Sequence, residues 1–251
     1  MSVVGIITAL RIEASCVSSF RMPYNRIVRL AEGSVVWLSG MGDDAARSAA
    51  TELIDLGVTS LVSFGIAGAL DPDLKSGDLI FPEVVQAGKI PLGGEEELPG
   101  YPVSLEWRDR VEALLPAHLT VVNRPLTTSP GVLTTAKAKL ELGAVTGACA
   151  YDMESAAIAE VAAKHEVPFI AIRAITNPVD FSPPPELLNA IQPEGSIKTL
   201  HLLALLYQRS VDVSTLLHLG KEIREARRTL AMVVRNADKE LGEMPLTVTV
   251  T

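Results

Sequence analysis

The sequence predicts an α/β layered fold built on a central mixed sheet, and three observations carry that prediction. Short β-branched runs alternate with longer alanine-rich segments along the 251 residues. Several of the short runs are apolar at consecutive rather than alternate positions, and 48% of the chain is hydrophobic. Alternating segment types are the pattern of an α/β protein, and continuous apolar runs suit strands covered on both faces. A chain of this length buries a large core without cross-links, so one domain over residues 1–251 is expected.

The first strand is VVGIIT (3–8), and Glu13 follows in ALRIEAS, near the strand's C-terminal end. SVVWLS (34–39), SLVSFG (60–65), DLIFPEVV (78–85) and FIAIRA (169–174) read as further strands from their β-branched and aromatic content. Helical composition and spacing mark 43–57, 135–143 and 154–166, with Gly57 and Gly143 as the expected C-caps of the first two. GKIPLGGEEELPGYP (88–102) is rich in Gly, Pro and Glu and reads as a long exposed loop, a lid or an oligomer contact. From about 196 to 236 two helices are expected, forming a basic C-terminal extension. Between 198 and 235 seven basic residues stand against three acidic ones, so that segment carries +4 and the rest of the chain -12. Basic helices with leucines on the other face are candidates for lying on an anionic membrane surface. The plainer reading is a closing helix packed on the sheet with a solvated charged face.

Composition narrows the partners. A formal charge of -8 repels a phosphate backbone, so no nucleic-acid partner is expected and small molecules come first. Cys16 and Cys149 supply neither a disulfide framework nor a four-ligand metal site. His118, His165, His201 and His218 lack metal-ligand spacing, so no metal is expected. The N-terminus has no basic region ahead of its apolar run, and no apolar stretch approaches the roughly 18 residues of a spanning helix. A cytoplasmic protein is expected, with the basic extension as a candidate for peripheral contact with the inner membrane.

The chemistry starts from YDMESAAIAEV (151–161), which places Asp152 and Glu154 where a helix begins. Acidic side chains there are favoured by the helix dipole, so capping is the plain explanation. Three other features point further. Glu13 lies where open α/β sheets place ligands, beyond a strand's C-terminal end. SGMGDDA (39–45) and FGIAGALDP (64–72) read as glycine-bearing turns after strands, matching neither a Walker loop nor the dinucleotide fingerprint. RAITNPVD (173–180) ends an apolar strand in polar Thr176, Asn177 and Asp180.

Taken together, GIITALRIEA, LSGMGDDAA, SFGIAGALDPDLKSGDLI and YDMESAAIAEVAAKHEVPFIAIRAITN resemble the purine nucleoside phosphorylase and methylthioadenosine/S-adenosylhomocysteine nucleosidase superfamily, over residues 3 to about 180. The resemblance implies a three-layer nucleoside phosphorylase-like fold and cleavage of a purine N-glycosidic bond. It also implies no cofactor, phosphate as the alternative co-substrate to water, and a homo-oligomer. On this resemblance Met153 packs against the sugar, Glu154 accepts its 2' and 3' hydroxyls, and Glu13 stands where the nucleosidases activate water. Asn177 takes the place of the group that contacts the purine N7, with Gly65, Ile66, Val132 and Leu133 among the substrate-binding positions. Asp152 aligns with an acidic neighbour of unassigned task. Breaking the bond builds positive charge on the ribose, which carboxylates stabilise while a donor at N7 helps the base leave.

The sequence departs from the pattern in several places. Adenine-specific nucleosidases end this strand in RAISD, whereas this chain has RAITN. An asparagine amide donates a hydrogen bond but delivers no proton, which leaves Asp180 as a candidate substitute and resembles the 6-oxopurine-specific phosphorylases. Ser63 and Ile66 occupy the segment where larger-subunit phosphorylases carry arginine and serine, which favours water as nucleophile, with Arg11 the other source of charge. Val132 replaces an aromatic ring. PPPELLNAIQPEGSIKTLHLLALL and LLHLGKEIREARRTL resemble the hopanoid-associated phosphorylase branch, which implies adenine release from adenosylhopane, a lipid-linked nucleoside. The alternatives are a methylthioadenosine/S-adenosylhomocysteine nucleosidase, a soluble purine nucleoside phosphorylase, and a nucleoside-binding protein without catalysis.

Overall fold

The computed structural model describes residues 3–31, 33–88, 99–181, 184–196 and 212–242. Its eleven-stranded mixed sheet is centred on four parallel strands, in the order β3 (Ser34–Leu38), β1 (Val4–Thr8), β4 (Ser60–Ala69) and β11 (Phe169–Asn177). These are the continuous apolar runs of the sequence, and every residue of β1, β3 and β11 is buried. β2 (Ile27–Ala31) closes one edge antiparallel to β3. Beyond β4 the sheet continues through β10 (Ala150–Asp152), β9 (Leu126–Thr128), β6 (Val84–Ala87) and β7 (Gly100–Pro102). β5 (Leu79–Ile80) pairs with β11 and with β8 (Val121–Val122).

Helices cover both faces, giving three layers. On one side α2 (Asp43–Asp55) buries Ala46, Ala49, Ala50 and Leu53, spaced for one helical stripe, beside α5 (Ser155–Lys164) and its Ala156, Ala157 and Ile158. On the other side α1 (Arg11–Val17), α3 (Leu105–Glu112) and α7 (Val213–Asn236) share a second core through Ala14, Trp107, Val111, Ala226, Leu230 and Val233. Full burial of a side chain such as Leu230 contributes about 1.5–3 kcal/mol. α7 is therefore a closing helix held by its apolar stripe, with Asp212 capping it through a 2.7 Å bond from the Thr215 N–H. Val213 and Leu217 at its N-terminal end are exposed. The other expected tail helix falls largely in 197–211, outside the described residues, as does 89–98 of the expected long loop.

The structure corrects several expected boundaries. SFGIAG is not a turn after a strand: β4 runs on to Ala69, since β11 pairs with it as far as Gly68. The run 78–85 is two strands, β5 and β6, interrupted around Pro82, and 100–102 is the strand β7 rather than loop. β11 extends three residues past 174 to Asn177. Gly143 is not a C-cap but lies inside α4 (Ala136–Thr146), where it meets Leu70; Gly147, with φ 68°, ends that helix in the left-handed region.

The pairing of β4 creates the opening for a site. β1 pairs with it only as far as Ser63, and β10 joins from the same side at Gly68–Ala69. Between them the edge at Gly65–Ile66 has no strand partner on that side. This is the kind of switch point in an α/β sheet where ligands bind, beyond the ends of parallel strands.

Candidate active site

Glu13 fills that opening. Its carboxylate turns back from the first turn of α1, accepting the Ala9 and Leu10 N–H groups on Oε2 at 2.8 and 2.9 Å. Oε1 accepts the Ile66 N–H at 2.9 Å, the β4 donor that neither β1 nor β10 uses. The residue is 2% exposed. Burial pushes its pKa above the ordinary carboxylate value, against the pull of Arg173 and the three backbone donors.

Arg173, in the middle of β11 and 1% exposed, is the shared countercharge. Its Nε donates to Asp152 Oδ2 at 2.7 Å, and Nη2 donates to the Ser63 hydroxyl at 2.7 Å and the Ser155 hydroxyl at 3.2 Å. Glu154 Oε2 lies 3.9 Å from Nη2. Burial opposes the guanidinium charge, and Asp152, Glu13 and Glu154 together outweigh it.

Asp152 ends β10 and does two jobs. It accepts from Thr128 Oγ1 at 2.8 Å and from the Ser155 N–H at 3.2 Å, so the capping expected at the start of α5 is present. It is also the principal ion-pair partner of Arg173, buried at 2.7 Å. Glu154 stands at the N-cap position, with Oε1 accepting the Gly42 N–H at 2.9 Å and Oε2 the Met153 N–H at 3.3 Å. Burial first, then the charge of Asp152, push its carboxyl up to about 8, with Arg173 opposing.

Of the positions expected from sequence, Glu13, Gly65, Ile66, Asp152 and Glu154 come together around Arg173, with half-buried Met153 between the last two. Gly65 has a steric reason: a Cβ there would lie on Glu13 Oε1 and Arg173 Nη1. Gly65→Ala is therefore expected to lower catalytic efficiency by at least about 10²-fold and stability by roughly 1–3 kcal/mol, the usual cost of overpacking. Steady-state kinetics and thermal unfolding check this; full activity would mean that Glu13 and Arg173 need not keep this geometry.

Asn177, 8% exposed at the end of β11, belongs to an adjoining group. Its Oδ1 accepts from Lys139 Nζ at 2.9 Å and its Nδ2 donates to the Tyr151 hydroxyl at 3.3 Å. The same hydroxyl accepts the Leu133 N–H at 3.1 Å, tying the 129–135 segment to this corner. Val132 is 37% exposed. Asp180 is not brought to the carboxylates: it is exposed and lines a separate cavity of about 640 Å³ with His218, Lys221 and Glu222. Arg11 also turns away, donating to the Met22 carbonyl at 3.0 Å with Nε 3.9 Å from Glu194.

Sequence reasoning missed Arg173 and Lys139. A lone arginine inside FIAIRAI is a signal, because a strand buried on both faces holds a charge only against a partner. Lys139 carries no such mark beside Lys137. Among the described residues no group of three or more His, Cys, Asp or Glu is arranged to hold a metal.

Comparison with known proteins identifies the family. The family model of the phosphorylase superfamily matches residues 21–199. Over 178 residues the chain is 29% identical to the 5'-methylthioadenosine/S-adenosylhomocysteine nucleosidases of Mycobacterium bovis and Mycobacterium tuberculosis, covering 57% of this chain and 69% of each relative. Its fold is similar to the corresponding nucleosidase of Helicobacter pylori, with a TM-score of 0.70 at 18% identity over 96% of this chain and 99% of that one. Futalosine hydrolase of Helicobacter pylori gives 0.67 at 18% identity, over 93% and 97% of the two chains. Structural likeness at that identity speaks for the fold alone, but the family model spans most of the sequence, and the chain belongs to the phosphorylase superfamily.

Proposed function

We propose that this protein is a purine nucleosidase in which water attacks the ribose carbon. The observation that carries the reading is the charge balance of the buried centre, where Glu13, Asp152 and Glu154 share one arginine. Such a centre stabilises the cation that develops on the sugar as the bond to the base breaks. Once the bound ribose hydroxyls draw Glu154 into its ionised form, the same charges oppose a phosphate nucleophile: two unit charges 4 Å apart interact by about 4 kcal/mol at an effective dielectric near 20. Arg173 is committed to the carboxylates, and Arg11 faces Glu194. In this reading Glu13 accepts the proton of water, Glu154 accepts the ribose hydroxyls, Met153 and Ile66 border the sugar, and Asn177 donates to the base. Val132 and Leu133 border the base. No cofactor takes part.

The finer reading concerns the 5' substituent. Resemblance of the tail to the hopanoid-associated branch supports a lipid-linked adenosine, with the exposed Val213 and Leu217 end of α7 as the candidate membrane contact. No helix among the described residues is long and apolar enough to cross a membrane. Identity to the mycobacterial enzymes favours methylthioadenosine or S-adenosylhomocysteine as the alternative substrates. A homo-oligomer, through apolar side chains such as the exposed Leu140 and Val145 of α4, completes the proposal.

Base release from adenosine, inosine, 5'-methylthioadenosine and a 5'-long-chain adenosine, each with and without phosphate, tests all of this. Adenine release independent of phosphate is expected, and Glu13→Gln is expected to lower it by about 10²–10⁴-fold, the range of general-base catalysis. Release only with phosphate would overturn hydrolysis. Binding of adenosine without base release, unchanged in Glu13→Gln, would make the chain a binding protein.

A further inference from the structure

Lys139 is an unusual lysine. Its residue is 0% exposed, inside α4, and its ammonium has three acceptors: Asn177 Oδ1 at 2.9 Å, the Pro178 carbonyl at 2.6 Å and the Phe181 carbonyl at 2.6 Å. Three N–H donors meet three acceptors, so the charged form is fully satisfied although no carboxylate touches it. Asp180 and Glu222 act on it only through space, and burial holds its pKa down to about 8. A buried ammonium costs several kcal/mol to desolvate, and a purely structural tie among three neutral acceptors needs no charge.

Its contact with Asn177 has a directional consequence. An ammonium only donates, so the amide oxygen of Asn177 is held toward Lys139 and its NH₂ is turned the other way. One of those two hydrogens goes to the Tyr151 hydroxyl, whose oxygen also receives the Leu133 N–H. The second has no partner among the described contacts and is free to donate. Two further bonds, to the Pro178 and Phe181 carbonyls, fix the ammonium in front of that oxygen, so a reversed amide would set its NH₂ against a donor.

We infer that Lys139 is a positioning residue that sets the polarity of Asn177, making this corner of the site a hydrogen-bond donor to a base that presents an acceptor. The inference rests on the nucleosidase reading and adds to it the reason why an asparagine serves here. A carboxylate at 177 would pair with Lys139, stay ionised and offer the base only acceptors. Donation by Asn177 and the lysine behind it are one unit: exchanging either alone spoils the site, and exchanging both restores a donor. Without the lysine, an aspartate at this buried position has its pKa raised by desolvation and carries a proton near neutral pH.

The test measures kcat and KM at pH 7 for the wild type, Lys139→Met, Asn177→Asp and the double variant, using whichever of adenosine, inosine, 5'-methylthioadenosine and a 5'-long-chain adenosine the wild type cleaves. Each single substitution is expected to lower kcat about 10–100-fold. The double variant is expected to exceed both single variants by about tenfold, a sign reversal that loss of packing does not produce. A double variant no better than the worse single variant would overturn the inference. If the Lys139 variants do not fold, Asn177→Asp decides alone. Activity that emerges only as pH falls through the carboxylate range supports the ionised pair, and activity at neutral pH equal to wild type overturns it. A wild type that cleaves none of the four nucleosides would overturn the functional reading, whereas an active wild type whose variants fail the pattern above would overturn this inference alone.

Discussion

Arg173→Met is expected to cost the fold about 3–5 kcal/mol and to abolish base release, the largest effect of any single substitution in this site. The magnitude is that of removing one partner from a buried ion pair, where the cost comes from the charge left behind. Here Asp152 stays bonded to Thr128 and the start of α5, while Glu13 and Glu154 remain buried with it. Methionine fills much of the volume, so the loss is electrostatic rather than a cavity. The sign with pH follows. Without the guanidinium, whose charge opposes burial at both glutamates, the folded-state pKa values of Glu13 and Glu154 rise further above their unfolded values. The variant is therefore least impaired below the unfolded carboxylate pKa near 4–5 and loses stability progressively as pH rises through the folded values. Thermal unfolding of wild type and variant at pH 5 and pH 8 checks this, a difference of this size shifting Tm by on the order of 10 °C. A penalty under about 1 kcal/mol, equal at both pH values, would remove charge balance as the account of the site.

The same residue shows how legibility depended on burial. Strands β1, β3, β4 and β11 were readable because both of their faces are covered, which writes continuous β-branched runs into the chain. The two- and three-residue strands β5, β7, β8, β9 and β10 carry no period of their own, and their place is set by neighbours already in the sheet. Glu13 and Glu154 were legible from acidic side chains at strand-to-helix junctions. The task of Asp152 was not, because it depends on Arg173 arriving from 21 residues further along the chain. SFGIAG looked like a turn because glycine usually marks one; Gly65 is instead required by the side chains that crowd against it inside a strand. Lys139 was invisible because TAKAKLELG does not say which of its two lysines faces the sheet.

Glu154→Gln is expected to separate activity from stability. The carboxyl is pushed up to about 8 in the folded protein, from an ordinary value of 4.5, chiefly by burial and then by Asp152. A raised folded-state pKa means that its contribution to stability is fully present below pH 4.5 and is lost as pH rises toward 8, where the folded protein must give up a proton the unfolded chain released earlier. Wild type is therefore expected to lose on the order of a few kcal/mol between pH 5 and pH 8.5 through this group. The glutamine variant keeps the acceptor for the Gly42 N–H and has no proton to lose, so it should match wild type at pH 5 and exceed it at pH 8.5. Its activity moves the other way. Two ribose hydroxyls donating to a carboxylate are worth roughly 1.5–3 kcal/mol each, and an amide offers one acceptor oxygen where the carboxylate offers two, so kcat/KM is expected to fall by at least about 10²-fold. Substrate hydroxyls favour the ionised form, so binding near pH 7 should release a proton, measurable as a buffer-dependent heat in calorimetry. Parallel stability curves for the two proteins from pH 5 to pH 8.5 would show that Glu154 is ionised in the empty site. Hydroxyl recognition would then begin from a carboxylate already charged, and binding near pH 7 would release no proton from it.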